Sequence, residues 1–313
     1  MNWKRVLLKN KNNKLLYYVK AISRWKVPSV FYRSKLVSRL GERLSVAPDA
    51  IQFRVDYYNR LDKKTVLSNE AIAIKDYKLP KKIRVYFFDS ICYLKYFNPH
   101  FRFRILPGDV THIPEEPCIV KSRPIVGDNA NSVILKLDKS RHFNFIKDEV
   151  AFSDKKDLLV GRSGFNQPHR ARFYTLYKEH PLCDLKKATR KSDAGFLSIA
   201  AHLNYKFVLA LEGNDVATNL KWIMSSNSIA VMPRPTYETW YMEGTLIPDY
   251  HYICIADDFS DLEEKLTYYI EHPEAAEEIV KNAHQYIEQF KDEKVERQIS
   301  LRVLDKYFQL TNN

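Results

Sequence analysis

Apolar runs that alternate with polar turns predict a repeated order of strand, turn and helix in the C-terminal half of the chain. The run Phe207–Leu211 is typical of a buried parallel strand, and the polar turn Glu212–Asp215 follows it. A helical pattern at 217–225, a second buried strand at Ile229–Met232 and renewed helical character at 238–243 come next. Because ligands bind beyond the carboxyl ends of the strands in open α/β sheets, we expect the polar turns after both strands to line a crevice.

Similar patterns predict further elements on both sides of this region. In the first half they predict strands at Ile83–Phe88, Phe101–Leu106, 119–123 and 133–137, with mixed strand and turn over 44–80. In the second half they predict strands at 158–160 and 250–256 and helices at 168–180, 261–271, 274–290 and 294–308. Strands that alternate with helices in both halves indicate two α/β domains.

The length and composition agree with this division. A chain of 313 residues, of which 45% are hydrophobic, can bury two cores. The pattern divides the chain into a basic amphipathic arm at 1–43, a first α/β domain at 44–155, a second at 156–290 and a C-terminal helix at 291–313.

The positive charge is concentrated in the arm. Residues 1–43 hold twelve Lys or Arg and a single acid, Glu42, whereas the whole chain has a net charge of +12. Basic residues interleaved with apolar ones can bind an anionic membrane surface, and a first helix packed on its domain with its basic face in solvent explains the composition as well. Both interpretations stay open. No nucleic acid partner is expected, because no helix-turn-helix, zinc-finger or RNA-binding signature is present.

Cysteine spacing and hydropathy indicate the cellular compartment in which the protein is expected. The four cysteines have no paired spacing, so we expect reduced thiols and a cytoplasmic protein; they are Cys92, Cys118, Cys183 and Cys254. No apolar run reaches the ~18 residues that a membrane-spanning helix needs, and no signal-peptide pattern is visible at the N-terminus.

Signatures of common nucleotide and catalytic sites are missing. The sequence has no GxxxxGK[ST] loop, no GxGxxG turn, no HExxH motif and no GxSxG elbow. It also lacks an Asp-x-Asp pair, which is the simplest carboxylate clamp for a divalent metal on a diphosphate. A phosphorylated ligand would therefore depend on helix N-termini and basic side chains.

Two turns are candidates for such a site. The turn Glu212–Asp215 precedes a predicted helix whose N–H groups face the crevice, and Lys221 lies one turn further along. The alternative is that Asn214 or Asp215 only caps the helix and that Lys221 is solvated. The turn Gly161–Gly164 follows a strand and offers a backbone nest together with the guanidinium of Arg162.

The region from His202 to Glu271 resembles glycosyltransferase family 90, which includes protein O-glucosyltransferases, capsule-related transferases and bacterial lipopolysaccharide core transferases. The resemblance rests on an ordered series: His202-x-x-Tyr205-Lys206-Phe207, Gly213, Val216-Ala217, Leu220-Lys221, Ser226-x-Ser228, Glu238-x-Trp240-Tyr241, Tyr250-His251-Tyr252-Ile253 and Asp258-x-x-Asp261-Leu262. Upstream, Arg162-Ser163-Gly164 resembles the Arg-Gly turn of the family, and Gly108–Ile125 and Lys136–Asp148 resemble its lipopolysaccharide branch.

The resemblance implies the fold class and the chemistry. The fold would be α/β and GT-B-like, with two Rossmann-like domains that face a central cleft and with C-terminal helices. The domain at 44–155 would bind the acceptor and the domain at 156–290 the nucleotide sugar. The reaction would be inverting and metal-independent, so it needs a general base for the acceptor hydroxyl and positive groups for the leaving diphosphate.

The resemblance also assigns residues. The base falls on Asp109, with His112 and Glu115 as substitutes, although the surrounding motif matches loosely and Asp109 could merely make its own turn. The Ser-x-Arg that binds phosphate in the family falls on Asn219 and Lys221, where Lys replaces the Arg fork. The remaining donor-binding candidates are Arg162, Ser163, Gly164, His202, Gly213 and Glu238, the last near the ribose or the sugar hydroxyls.

The expected function is transfer of a hexose from UDP-glucose or UDP-galactose to the lipopolysaccharide core, at the inner face of the inner membrane. The basic arm would then hold the enzyme beside anionic lipid. Two alternatives stay open: a transferase of the same fold that acts on another polysaccharide or on protein, and a non-enzymatic membrane-binding or nucleic-acid-binding protein that uses the arm.

Overall fold

The computed structural model describes residues 13–164, 166–188 and 190–312, and the first part of the predicted arm lies outside these ranges. The described residues form two compact units. Unit 1 contains Arg141–Pro235 and Thr245–Gln289, and unit 2 contains Asn13–Ser140, Thr236–Gly244 and residues 290–312. The chain therefore returns to unit 2 twice after it has left it.

Unit 2 begins with helices. They are α1 Lys14–Lys26, α2 Val30–Arg33, α3 Leu36–Leu40, α4 Pro48–Tyr58 and α5 Arg84–Leu94, and the C-terminal helix α12 Glu293–Thr311 also belongs to this unit. The prediction of a strand at Ile83–Phe88 is wrong, because residues 84–88 form the first half of α5 and Ile83 directly precedes it. Most of α5 is buried, so its sequence is apolar on every side, and a short apolar run does not distinguish a buried helix from a buried strand.

The strands of unit 2 are short. They are β1 Ile72–Ala73, β2 Arg102–Phe103, β3 Ile105–Leu106, β4 Cys118–Val120, β5 Ser122–Pro124, β6 Ser132–Ile134 and β11 Tyr237–Thr239. β3, β4 and β6 form a parallel sheet, whereas β1 pairs with β2 and β5 with β11 in antiparallel ribbons. The predicted helical character at 238–243 is wrong, since Glu238 lies opposite Arg123 in the second ribbon.

A buried ion network ties α12 to the rest of unit 2. The carboxylate of Glu296 accepts from Arg54 Nη2 at 2.6 Å, from Lys136 Nζ at 2.5 Å and from Trp240 Nε1 at 2.7 Å. Burial alone would raise the pKa of Glu296, but the two cations hold it below its usual value. Residues from four distant parts of the chain thus meet at one carboxylate.

Unit 1 is built on a parallel sheet. Its elements are β7 Lys156–Ser163, α7 Pro168–Tyr177, β8 Cys183–Lys187, α8 Ile199–His202, β9 Tyr205–Leu209, α9 Leu220–Ile223, β10 Ile229–Met232, β12 Ile253–Cys254, α10 Leu262–Glu271 and α11 Pro273–Glu288, and α6 Lys139–His142 leads into it from unit 2. The strands pair in the order β12-β10-β9-β7-β8, all parallel. The structure therefore has the α/β class with parallel sheets that the sequence predicts.

The core of unit 1 follows from this order. Apolar side chains of the central strands pack against those of the helices, and they include Leu159, Phe207, Leu209, Val231, Phe173, Leu266 and Ile279. β9 and β10 are buried throughout, as expected for strands covered on both faces. Gly161 lets β7 approach its neighbours, because a Cβ there would lie 2.7 Å from Leu185 Cδ2 and 2.9 Å from the Tyr174 hydroxyl.

Two general expectations can be compared with these units. Among the described helices, none is both long enough and apolar enough to cross a bilayer. The predicted domain ranges and the GT-B arrangement, in which two domains face a cleft, stay predictions.

Candidate functional site

The strand order of unit 1 locates a ligand-binding edge. Taken in chain order the strands are arranged 2-1-3-4-5, and the direction of winding reverses between β7 and β9. In doubly wound sheets of this order, ligands bind beyond the carboxyl ends of the strands at that reversal. The residues that follow β7 and β9 are therefore the first candidates for a site.

Three hydrogen bonds, and a contact between a histidine ring nitrogen and a backbone oxygen, join the start of α7 to the loop after β9. Arg170 Nε donates to the backbone oxygen of Glu212 at 2.8 Å, and Arg170 Nη2 donates to that of Leu211 at 2.8 Å. Gln167 Nε2 donates to Asn214 Oδ1 at 3.0 Å, and a ring nitrogen of His169 lies 2.9 Å from the Glu212 oxygen. The helix N-terminus and the loop thus form one connected edge.

Arg170 has an unusual environment for a partly buried cation. Its hydrogen-bond acceptors are backbone carbonyls, and no carboxylate pairs with it among residues 13–164, 166–188 and 190–312. Burial lowers the pKa of Arg170, and the nearby positive charge of Arg141 lowers it further. Two arginines and the positive end of the α7 dipole therefore concentrate positive potential here, which suits a diphosphate.

Ser163, Gly164 and Gly213 lie at this edge, and their predicted contact with the donor stays a prediction. Ser163 ends β7 and its hydroxyl is 3.2 Å from that of Tyr174, and Gly164 follows it directly. Gly213 donates its backbone N–H to the Asp215 oxygen at 2.9 Å, which closes the loop after β9. The structure therefore brings these three predicted residues together with Arg170.

Arg162 belongs to β7, but its guanidinium forms hydrogen bonds with Asp184 of β8. It donates from Nη1 to the Asp184 backbone oxygen at 2.5 Å and from Nη2 to the Asp184 carboxylate at 2.7 Å. The Tyr205 hydroxyl donates to the other carboxylate oxygen at 2.6 Å. Burial, together with this interaction, raises the pKa of Tyr205 to about 12. The Arg162 side chain is thus held in a buried ion pair, and its predicted contact with the donor stays a prediction.

His202 ends α8, before the amino end of β9, whereas Gly213 follows the carboxyl end of that strand. Its Nδ1 lies 2.8 Å from the Ser198 backbone oxygen, and its ring meets the Trp222 ring edge-on at 5.6 Å. Burial lowers the pKa of His202, so the imidazole is neutral near pH 7. Its predicted role in donor binding stays a prediction.

Asn219 and Lys221 lie in the connection after β9. Asn219 precedes α9, and its Nδ2 donates to the Leu209 backbone oxygen at 2.9 Å. Lys221 is fully buried within α9, so the alternative of a solvated Lys221 is wrong. The helix begins at Leu220, well after Asp215, so the alternative in which Asn214 or Asp215 caps it is wrong as well.

Asp109, the predicted base, lies in unit 2 in the turn that follows β3. Its carboxylate accepts from Lys121 Nζ at 2.5 Å, and a quarter of its side chain is exposed, whereas Lys121 is buried. The next residue, Val110, donates its N–H to Ser122 Oγ at 3.2 Å. The position at the end of a parallel strand agrees with the sequence prediction, and the catalytic role stays a prediction.

Glu238 lies in unit 2, not with the residues around β9. Its carboxylate accepts from Arg123 Nε at 2.8 Å and from the Tyr57 hydroxyl, and Arg60 Nη2 is 3.7 Å away. Gly244 leaves room for it, since a Cβ there would lie 2.7 Å from Glu238 Oε2. Both carboxylate oxygens are thus engaged within unit 2, and the predicted contact of Glu238 with the sugar stays a prediction.

Sequence reasoning missed Arg170 as a site residue. It lies in the first turn of a helix that follows a strand and a Gly-containing turn, and this is a recurring place for anion-binding groups. That signal was present in the sequence, but the lack of a carboxylate partner among the described residues appears only in three dimensions. Within the residues that the structure describes, no group of three or more His, Cys, Asp or Glu side chains is placed to hold a metal ion, and we assign no metal ligand.

Comparisons with known proteins identify the family. The model of glycosyl transferase family 90 matches residues 141–313, which include all of unit 1 that the structure describes and the last two segments of unit 2. The chain is also 43% identical over 307 residues to a protein of Dichelobacter nodosus named O-glucosyltransferase LpsA, with 95% of this chain and 96% of that protein covered. The chain is a glycosyltransferase that belongs to glycosyl transferase family 90.

Proposed function

We propose that this glycosyltransferase transfers glucose from UDP-glucose to the core oligosaccharide of a bacterial lipopolysaccharide, with inversion at the anomeric carbon and without a metal ion. The observation that carries the donor half of the proposal is Arg170, a partly buried cation without a carboxylate partner among the described residues, at the reversal point of the unit 1 sheet. A leaving UDP needs such positive charge, because its diphosphate gains negative charge in the transition state.

The donor diphosphate would contact the edge formed by α7 and the loop after β9. Arg170 would bind it with the guanidinium N–H groups that do not serve the carbonyls of Leu211 and Glu212, and the backbone at Ser163, Gly164 and Gly213 would approach it. Arg162, Asn219 and Lys221 would support this edge from the buried side. Arg162 is bonded to Asp184 of β8, Asn219 is bonded to Leu209 of β9, and Lys221 is buried.

The chemical step would use Asp109 as the general base. The acceptor oxygen forms a bond to the anomeric carbon while the bond from that carbon to the UDP oxygen breaks, and the electron pair of the broken bond goes to the diphosphate. The acceptor proton goes to the Asp109 carboxylate, which is partly exposed and therefore open to an incoming hydroxyl. A single displacement of this kind inverts the configuration.

The relative from Dichelobacter nodosus supports the choice of sugar and acceptor. Its name states an O-glucosyltransferase, and 43% identity over nearly the whole length favours the same sugar over galactose. The series Gly108–Ile125, which resembles the lipopolysaccharide branch, includes Asp109 and Lys121, so the resemblance extends to the proposed base. We place the reaction at the inner face of the inner membrane, where the core is assembled.

The test is turnover of UDP-glucose and UDP-galactose by the purified full-length protein. Truncated lipopolysaccharide cores serve as acceptors, an unrelated polysaccharide and a protein acceptor serve as controls, and mass spectrometry detects a hexose added to the acceptor. The expected result is addition of glucose to a core acceptor with release of UDP and a β-linkage when the donor is α-linked. Transfer only to the control acceptors would overturn the lipopolysaccharide proposal, and transfer with retained configuration would overturn the inverting step.

A further inference from the structure

Helix α1 is fixed to unit 2 along one face. The Tyr17 hydroxyl donates to Asp89 Oδ1 at 2.8 Å, and the Tyr18 ring packs edge-on against Phe88 at 5.9 Å. At the other end of α1, Lys95 Nζ donates to the backbone oxygens of Trp25 and Val27, so its ammonium group caps the helix. These contacts hold α1 in one orientation, and the direction of its other face is therefore defined.

The other face of α1 is apolar and exposed. Leu15 is 75%, Leu16 50% and Val19 55% exposed, and Ile22 lies on the same side one turn further. The surface continues into α2 and α3 with Phe31 and with Val37, which is 84% exposed. The open interpretation of α1 as a packed helix with its basic residues in solvent agrees with the structure, and the exposed side also carries the aliphatic residues Leu15, Leu16 and Val19.

Positive charge surrounds these apolar residues. The segment from residue 13 to 40 contains seven Lys or Arg and no Asp or Glu. Among the described residues, four of its lysines form no ion pair: Lys14, Lys20, Lys26 and Lys35. A helix with exposed aliphatic residues and flanking lysines has the composition of surfaces that lie in a membrane interface.

A second basic segment lies beside α1. Tyr17 contacts Val85 and Asp89 near the start of α5, whereas Lys95, just after α5, caps the end of α1, so the two helices run in the same direction. Residues 77–84, which lead into α5, therefore approach the N-terminal end of α1. They contain four exposed cations and no acid: Lys78, Lys81, Lys82 and Arg84.

We propose that the outer face of α1 to α3, together with residues 77–84, docks unit 2 on an anionic membrane surface. The aliphatic residues would insert at the level of the headgroups and the lysines would contact the anionic lipids. A second copy of this chain is a poor occupant, because it would bring one positive surface against another. A nucleic acid would satisfy the charges but would leave Leu15, Val19 and Val37 in water, since bases stack on aromatic rings. This inference does not depend on which sugar the enzyme transfers.

The test is co-sedimentation of the full-length protein with phosphatidylcholine vesicles that contain or lack phosphatidylglycerol. Wild type is expected to bind the anionic vesicles and to lose binding as salt is raised. The triple variant Lys78→Gln, Lys81→Gln, Lys82→Gln should weaken the partition coefficient by about fivefold for each removed charge. The variant Leu15→Ser, Leu16→Ser, Val19→Ser should weaken it by roughly tenfold or more.

A matched control tests whether vesicle binding depends on this surface of unit 2 or on exposed apolar residues in general. Val66→Ser, Val126→Ser, Leu176→Ser removes three apolar side chains that are 84%, 77% and 53% exposed elsewhere, and it should bind like wild type. Circular dichroism and UDP binding, which the vesicle variants should retain, show that they are folded. The proposal is overturned if wild type does not bind anionic vesicles or if the Leu15 variant binds them as tightly as wild type. It is also overturned if light scattering shows that wild type is a dimer, that the Leu15 variant is a monomer, and that this change alone accounts for the loss of binding.

Discussion

Arg170 donates from Nε to the backbone oxygen of Glu212 at 2.8 Å, and this bond ties the first turn of α7 to the loop after β9. The same guanidinium would bind the donor diphosphate. We expect Arg170→Lys to lower kcat/KM for the donor by roughly 100-fold, because a lysine cannot serve the carbonyls and a phosphate together. Calorimetry with UDP measures the dissociation constant of UDP, which should be higher for the variant than for wild type.

Arg172→Lys is the matched control for this prediction. Arg172 lies two residues further on the same helix and is exposed, so its exchange should leave kcat/KM and the UDP Kd within about twofold of wild type. Equal effects of the two exchanges would contradict the proposed role of Arg170.

Replacement of the proposed base should separate chemistry from binding. Asp109→Asn should lower kcat by about 10²–10⁴ while UDP binding persists, since the exchange removes the proton acceptor and keeps the shape of the side chain. Steady-state kinetics with a core acceptor measures the effect. Glu115→Gln and His112→Gln, at exposed positions of the same turn region, are the controls. If Asp109→Asn has near-normal turnover and one of the controls loses most of its activity, the residue changed in that control is the general base and Asp109 is not.

Chelation tests the metal-independent chemistry. Because the sequence has no Asp-x-Asp pair, we expect turnover to be the same in EDTA as in Mg²⁺ or Mn²⁺. The assay follows UDP release at a fixed concentration of donor and acceptor. A loss of activity in EDTA that added Mn²⁺ restores would remove this part of the proposal.

The stability of unit 2 should depend on the protonation of Asp89. Burial raises the pKa of this carboxyl to about 6 in the folded protein, although the Lys139 ammonium opposes the shift. The folded state thus holds the Asp89 proton more tightly than the unfolded state. Stability from this group is fully present below the unfolded pKa near 4 and is lost as the pH rises through about 6, by about 3 kcal/mol in all.

Asp89→Asn isolates this contribution. The difference in unfolding free energy between wild type and variant should change by about 2 kcal/mol between pH 4 and pH 7, in the direction that favours the variant at the higher pH. Asp76→Asn, which removes an exposed carboxylate of the same unit, is the control for the general effect of removing a negative charge. A constant difference for Asp89→Asn would show that its carboxyl has an ordinary pKa.

The network around Glu296 should be essential for stability. Glu296→Gln would leave the buried Arg54 and Lys136 without their counter-ion, and we expect a loss of about 3–5 kcal/mol in the free energy of unfolding. Glu293→Gln, at an exposed position in the first turn of the same helix, should cost about 0.5 kcal/mol. Similar losses for both variants, measured by urea unfolding, would contradict the prediction.

The sequence predicted best those elements whose pattern is local. The strand at Ile229–Met232 has the predicted bounds, and α10 begins and ends within a residue of its prediction. Apolar character alone misled at Arg84–Leu94, because a helix buried on every side has the same pattern as a buried strand. The sheet order, which locates the candidate site, depends on pairings that no local pattern contains.

The same limit applies to side-chain roles. The sequence pattern groups Glu238 with the residues around β9, but its partner Arg123 lies far upstream in the chain and both residues belong to unit 2. Arg170 is visible on its predicted helix, yet its value as an anion-binding group depends on its carbonyl partners and on the lack of a carboxylate among the described residues near it. Residue type and spacing could suggest the ligand class, whereas the division of these residues between the units required coordinates.

The return of the chain to unit 2 has a consequence for biosynthesis. Helix α12 leaves the ribosome after all the other described helices and strands, and it brings the carboxylate that neutralises Arg54 and Lys136. Before α12 is synthesised, Arg54 and Lys136 have no carboxylate partner that would allow them to be buried. Unit 1 is complete by residue 289 and can form earlier. The second half of the chain is therefore expected to finish folding first, and a nascent chain stalled before α12 should be sensitive to proteases in its N-terminal half.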